Sequence, residues 1–136
     1  MKLISIILLA LSLSVSAKEP HPWENTAQTF NPILVCVSEN AAENIWQIHK
    51  KDGQPAAERA GRAYAKEGIC RWLRGTVFVA EVKDIAILDW ANTPDGSGKV
   101  GGHFMHIYAN PQQQGWGLYF MFMRDYYGFY GESRQI

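Results

Sequence analysis

The sequence predicts an α+β fold in which an N-terminal helical hairpin, stapled by one disulfide, packs on a four-stranded antiparallel meander or small barrel. Residues 40–68 carry apolar side chains at helical spacing, whereas residues 76–123 alternate with a period of two between short turns. One cysteine precedes the helical segment and a second follows it. Helices that precede a run of strands in this way are typical of α+β proteins.

The first residues are typical of a secretory signal peptide. Lys2 provides a positive charge, residues 3–13 form an apolar stretch, and small residues precede a cleavage position after Ala17. We therefore expect residues 1–17 to be removed and the product to be exported, to the periplasm or outside the cell.

A single α+β domain at residues 33–136 is expected to follow an extended lead-in. The lead-in, residues 18–32, holds three prolines and no apolar periodicity. Residues 33–37 (ILVCV) form either a buried strand or the start of the first helix, because a short apolar run fits both.

Two helices are predicted next. Asn40 can cap the first helix, Glu43 can close a capping box, and Gly53 ends the helix. The second helix begins at Pro55, a favourable first-turn residue, and ends near Gly68. Alanines line one face of this second helix, so it can approach its neighbour closely.

Four strands are predicted after the helices, because apolar and polar residues alternate between turn-forming stretches. Lys83-Asp84 is predicted to be a tight turn between the first two strands, and residues 92–98 (NTPDGSG) form a strong turn or loop. The predicted strands are residues 76–82, 85–90, 102–109 and 118–123.

Cys36 and Cys70 are the two cysteines of the chain. An exported chain meets an oxidising compartment, so an even pair predicts a disulfide. Such a bond ties the end of the second helix to the segment before the first. The alternative is a catalytic thiol paired with a histidine, although no nucleophile motif surrounds either cysteine.

The charge balance and the motif inventory exclude several functions. The chain has 13 basic and 13 acidic residues, so no basic excess favours nucleic-acid binding. No hydrophobic segment after the signal peptide approaches the length of a membrane span, so we expect no span in the mature chain. None of the familiar catalytic, phosphate-binding or dinucleotide-binding motifs occurs, so an enzyme is not favoured and no cofactor is expected.

Aromatic residues concentrate near the C-terminus, where ten of the seventeen lie between Phe104 and Tyr130. Exposed tryptophan and tyrosine are typical anchors for protein partners and for stacking on sugars, whereas buried ones are core. Both readings stay open for the strand at residues 118–123, which has two apolar faces. The candidate binding surface consists of Trp116, Tyr119, Tyr126, Tyr127 and Tyr130.

A copper site is an alternative suggested by His103, Met105 and His106, because imidazole and thioether groups suit copper ions. The spacing weakens it. On a strand, His103 and Met105 point to one face and His106 to the other, so a single strand makes a poor chelate.

Part of the chain resembles a group of small exported bacterial proteins of unknown function, which share a cysteine, a helical hairpin, a second cysteine and strands beyond. The resemblance implies the disulfide and the α+β order, and it carries no activity. The residues that carry it are Cys36, Ala42, Ile45, Gly53, Ala56, Ala57, Gly68 and Cys70.

The expected function is therefore that of an exported, non-catalytic binding protein. Its partner would be a protein of the cell envelope, with an inhibitor or immunity-type role as one form. A carbohydrate-binding or peptidoglycan-binding module is the first alternative, and a copper-binding periplasmic protein is the second.

Overall fold

The computed structural model of the chain describes residues 20–131. The predicted signal peptide at residues 1–17 and the tail beyond Gly131 lie outside the described residues. Seven elements follow one another: β1 (Thr26–Cys36), α1 (Glu39–Asp52), α2 (Gln54–Lys66), β2 (Cys70–Asp89), β3 (Lys99–Asn110), β4 (Gln113–Phe122) and α3 (Met123–Tyr130).

The α+β class is confirmed, with three helices and a four-stranded antiparallel sheet in the described residues. The predicted N-terminal helical hairpin is not confirmed, because β1 precedes α1 and α2. Residues 26–32, predicted to be lead-in, form most of β1, so the predicted domain boundary at residue 33 falls inside this strand. Residues 26–30 alternate between more and less exposed side chains and end on the buried Phe30, a strand pattern that the flanking prolines obscure.

The predicted turn at Lys83-Asp84 is wrong, because β2 is one continuous strand of 20 residues. Its pairing with β3 shifts register between Val79 and Glu81 and again between Val82 and Asp84. Bulges of this kind bend a strand without reversing it, and they interrupt the alternation that a sequence pattern relies on. The two predicted strands are therefore two halves of one bent strand.

Capping differs from prediction at the first helix. Ser38, rather than Asn40, is the N-cap, and its Oγ accepts a hydrogen bond from the Ala41 N–H at 3.3 Å. Pro55 lies in the first turn of α2, as predicted, and Gly68 follows that helix with a φ of 75°.

The sheet closes on itself because β1 pairs with two strands. It pairs with β2 along most of its length and with β4 over Leu34–Cys36. Two inward-facing glycines on β4 permit this closure. A Cβ on Gly117 would lie 2.6 Å from Ile33 Cδ1, and one on Gly115 would lie 2.8 Å from Val35 Cγ1.

Two separate cores result, one on each face of the sheet. The outer core lies between the sheet and helices α1 and α2, and the inner core fills the interior and is covered by α3 and the segment 20–25. The outer core contains Leu34, Cys36, Ala41, Ala42, Ile45, Trp46, Ala57, Cys70, Leu88, Val100, Phe104 and Leu118. The inner core contains Trp23, Phe30, Ile33, Val35, Val77, Val79, Met105, Ile107, Met121, Met123 and Tyr126.

The disulfide prediction is confirmed. Cys36 and Cys70 are directly opposite residues of β1 and β2, and their sulfur atoms are bonded at 2.07 Å. The bond joins the end of β1 to the start of β2, so it closes the chain around both helices. Within residues 20–131, none of the helices has the length and apolar character that crossing a membrane requires.

Candidate functional site

A groove opens between helices α1 and α2 and the outer face of the sheet, with a volume of about 420 Å³. We call it the outer groove. Small residues on α2 leave this space, because neither Ala57 nor Gly61 has a long side chain to fill it. The lining residues are Leu34, Ile45, His49, Gln54, Ala57, Glu58, Gly61, Arg62, Trp72, Trp90 and Phe120.

Three aromatic rings line the outer groove. Trp72 follows Cys70 on the outer face of β2 and is 59% exposed, the most exposed tryptophan of the described residues. Trp90 and Phe120 are half-buried, with ring centroids 5.1 Å apart. The groove therefore has an exposed indole at its edge and a partly covered aromatic pair beside it.

His49 adjoins the aromatic pair and is 3% exposed. Its ring stacks on Trp90 at 5.6 Å and lies 5.1 Å from the ring of Phe120. Its Nε2–H donates to the backbone carbonyl of Asp89 at 3.2 Å. Burial lowers the pKa of His49 despite that bond, so the ring is neutral near pH 7.

Polar side chains of α2 edge the outer groove. Gln54 accepts a hydrogen bond from the Ala91 N–H at 2.6 Å and donates to Glu58 at 2.7 Å. Arg62 lies 3.6 Å from Glu58 one helical turn away, and its side chain is 69% exposed. This rim offers a guanidinium, a carboxylate and an amide beside apolar rings.

A second cavity, of about 530 Å³, lies against residues 76–78 of β2 and has no charged side chain in its lining. It offers fewer directional contacts than the outer groove. It is lined by Ala27, Thr76, Val77, Phe78, Tyr108, Ala109, Asn110 and Pro111.

A different arrangement lies on the inner face, where three elements meet through hydrogen bonds. The Nε2 atoms of His21 and His103 both lie within hydrogen-bond distance of the Tyr130 hydroxyl, at 2.7 Å for His103. The rings of Trp23 and Phe129 complete this group, and Phe129 stacks on His21 at 5.7 Å. We call these five residues the histidine cluster.

His103 has no exposed surface. Burial and the neighbouring His21 lower the pKa of His103 to about 4, although the carbonyl groups of Tyr119 and Gly101 oppose the shift. Its Nδ1 has no hydrogen-bond partner among residues 20–131. His103 is therefore a neutral imidazole near pH 7.

The structure divides the predicted aromatic surface rather than bringing it together. Tyr126 is fully buried in the inner core, which corrects its predicted place on an exposed surface. Tyr119, Tyr127 and Tyr130 are half-buried against the same core, whereas Trp116 is half-buried on the outer face. The run that contains these residues supplies much of the interior, because a domain this small needs large aromatic side chains in its core.

The three weak copper candidates do not converge. His103 and Met105 are fully buried on the inner face, while His106 lies on the outer face, stacked on Trp116 and hydrogen-bonded to Gln114 at 3.0 Å. Among the described residues, no three His, Cys, Asp or Glu side chains are grouped so that they could hold a metal ion.

Sequence reasoning missed Trp72, Trp90, His49 and His21 as site residues. One signal was available for His49, which follows Ile45 by four residues and so shares its buried helical face. Trp72 lay outside every predicted strand, and His21 lay in the predicted lead-in, so neither carried a local pattern.

Comparisons of the chain with family models, with curated proteins and with solved structures found no match.

Proposed function

We propose that this protein is an exported, non-catalytic binding protein of the cell envelope whose binding site is the outer groove. The observation that carries the proposal is the groove itself, about 420 Å³ in volume and edged by the exposed Trp72. Ligand sites are concave and mostly apolar, with a few polar groups that fix orientation, and their volumes begin near 300 Å³.

A protein partner fits the composition of the groove best. Tryptophan and arginine are the residue types most enriched among the side chains that dominate binding energy at protein interfaces. Trp72, Trp90 and Arg62 line one groove, and the aromatic pair at its wall can receive an apolar side chain of the partner. An inhibitor or immunity-type role would use this contact to occupy an envelope enzyme.

Site-specific photocrosslinking in cells tests this proposal. A photoreactive amino acid at Arg62 should yield a discrete crosslinked species, and one at Phe122 should not. Phe122 is the matched control, because it is 47% exposed and lies outside the groove lining. The crosslink at position 62 should be lost when Trp72→Ala is added. A crosslink that survives Trp72→Ala, or one equally strong at position 122, would contradict the proposal.

A glycan is the second candidate ligand, and a specific observation favours it. The exposed Trp72 lines the same groove as the planar side chains of Gln54, Glu58 and Arg62. Aromatic faces stack on sugars while amide, carboxylate and guanidinium groups bond their hydroxyls. Sedimentation of the purified protein with cell-wall material distinguishes a glycan ligand from a protein partner. Only a glycan ligand predicts that the protein co-sediments and that Trp72→Ala abolishes this co-sedimentation.

A further inference from the structure

The histidine cluster joins three parts of the chain that are far apart in sequence. His21 belongs to the segment before β1, His103 to the middle of β3, and Tyr130 to the last turn of α3. Hydrogen bonds to the Tyr130 hydroxyl connect the two imidazoles. The segment 20–25 and α3 together cover the inner core.

The polarity of these hydrogen bonds follows from the backbone. The Trp23 N–H donates to His21 Nδ1 at 3.0 Å, so neutral His21 carries its proton on Nε2. That proton points at the Tyr130 oxygen. A metal ion at His21 Nε2 would require the opposite tautomer, which the Trp23 N–H opposes.

At the other end of the connection, the hydroxyl of Tyr130 faces Nε2 of His103. Because the His21 Nε2–H donates to the Tyr130 oxygen, the Tyr130 O–H can donate to His103 Nε2 at 2.7 Å, which places the proton of neutral His103 on Nδ1. The three groups thus form a series of hydrogen bonds in which His21 donates to Tyr130 and Tyr130 donates to His103. The second bond requires a neutral His103, because only then can Nε2 accept.

We propose that the His21–Tyr130–His103 series is a proton-operated latch that holds α3 and the segment 20–25 over the inner core, and that protonation of His103 releases both together. A cation at His103 would be fully buried and would reverse the bond that Nε2 accepts. Undocking of α3 would expose the imidazole of His103 to water, and the pKa of His103 would return to its ordinary value.

Among residues 20–131, the groups that face His103 offer no compensating negative charge. On the segment 20–25 it faces His21 and Trp23, on β4 it faces Tyr119, and on α3 it faces Tyr126 and Tyr130. Its partner on β2 is Ile85. No carboxylate of residues 20–131 hydrogen-bonds His103, and burial together with Asp125 raises the pKa of Tyr119, which stays neutral.

Amide hydrogen exchange measured from pH 7 to pH 4 tests the latch. Protection factors, which correct for intrinsic exchange, are read at Trp23, whose N–H bonds His21, and at Gly131, whose N–H bonds the Tyr127 carbonyl. Val37 is the reference, because its N–H bonds the Ile69 carbonyl beside the disulfide. The latch predicts equal protection factors at Trp23 and Gly131, both below that of Val37. These two protection factors should be about 100-fold lower at pH 4 than at pH 7. The size of this change follows from a His103 pKa of about 4 in the closed state and 6.5 in the open state.

Two variants and a control complete the test. His103→Gln, which cannot titrate, should remove this pH dependence, and Tyr130→Phe should lower protection severalfold at both Trp23 and Gly131 at pH 7. His106→Gln should behave as the unmodified chain. A flat profile in the unmodified chain, a pH dependence that persists in His103→Gln, or an effect of Tyr130→Phe on Gly131 alone would each overturn the latch.

Discussion

The outer groove and the histidine cluster each place a histidine among aromatic rings, but the rings line an open cavity in the groove and enclose the histidine in the cluster. In the groove, Trp90 and Phe120 form one wall of an open cavity beside His49. In the cluster, Trp23 and Tyr130 enclose His103 completely. The comparison teaches that an aromatic-rich sequence does not by itself indicate binding, because the same residue types stay accessible only where neighbouring side chains are too small to cover them.

Loss of the disulfide should have the largest effect on stability, and the outer core beside the groove should lose its packing first. Cys36 and Cys70 are 34 residues apart, and opening that loop is expected to lower the free energy of unfolding by about 3 to 4 kcal/mol. Urea unfolding of the Cys36→Ala/Cys70→Ala chain measures this. Reduced unmodified chain is the control and should lose a similar amount. A loss below about 1 kcal/mol in both would show that the outer core holds the helices without the bond.

Acid should act on the inner face more than on the outer one. The pKa of His103 is lowered from 6.5 to about 4 in the folded chain, so its contribution to stability is complete above pH 6.5 and is lost as pH falls toward 4. The expected loss at pH 4 is about 3 kcal/mol. The lowered pKa of His49 acts in the same direction.

Urea unfolding at pH 7 and pH 4 measures this loss for the unmodified chain, His103→Gln and His49→Gln. Most of the pH dependence should disappear in His103→Gln and a smaller part in His49→Gln. The reverse order would show that the groove histidine, and not the inner one, is the main acid-sensitive group.

A glycine pair probes how tightly α3 fits the inner face. A Cβ on Gly101 would lie 2.0 Å from Cδ2 of Tyr126, so Gly101→Ala must displace the ring and should lower the free energy of unfolding by about 3 kcal/mol. Gly128 is the matched control on α3, since no atom lies within 4 Å of its added Cβ. Gly128→Ala should raise stability by about 0.5 kcal/mol through helix propensity. Equal urea midpoints for the two variants would mean that α3 does not pack against Gly101.

Much of the secondary structure could be predicted from local patterns. Helices α1 and α2, the last two strands and the disulfide follow from periodicity, turn residues and paired cysteines, whereas α3 was not predicted. Bulges hid the continuity of β2, and prolines around the alternating residues 26–30 hid the first strand. Both failures have one physical cause, because pairing partners distant in sequence decide strand boundaries there.

The candidate sites were less accessible to prediction than the fold. Trp72 lies near the start of β2 and Trp90 directly follows its end, 18 positions further along the chain, and only the bend of β2 and the position of α2 bring them to one groove. His21 meets His103 through a hydroxyl 109 positions further along the chain. No local sequence pattern indicates contacts between residues so far apart in the chain. The sequence could therefore identify candidate aromatic residues but not which of them the fold would bury.

Combined measurement of stability and crosslinking on Trp72→Ala tests most directly whether the outer groove is a binding surface rather than part of the core. Because Trp72 is 59% exposed, its removal should change the free energy of unfolding by no more than about 0.5 kcal/mol. The crosslink from position 62 should disappear in the same protein. A Trp72→Ala chain that keeps the crosslink, or that unfolds at a much lower urea concentration, would contradict the assignment of this groove as the binding site.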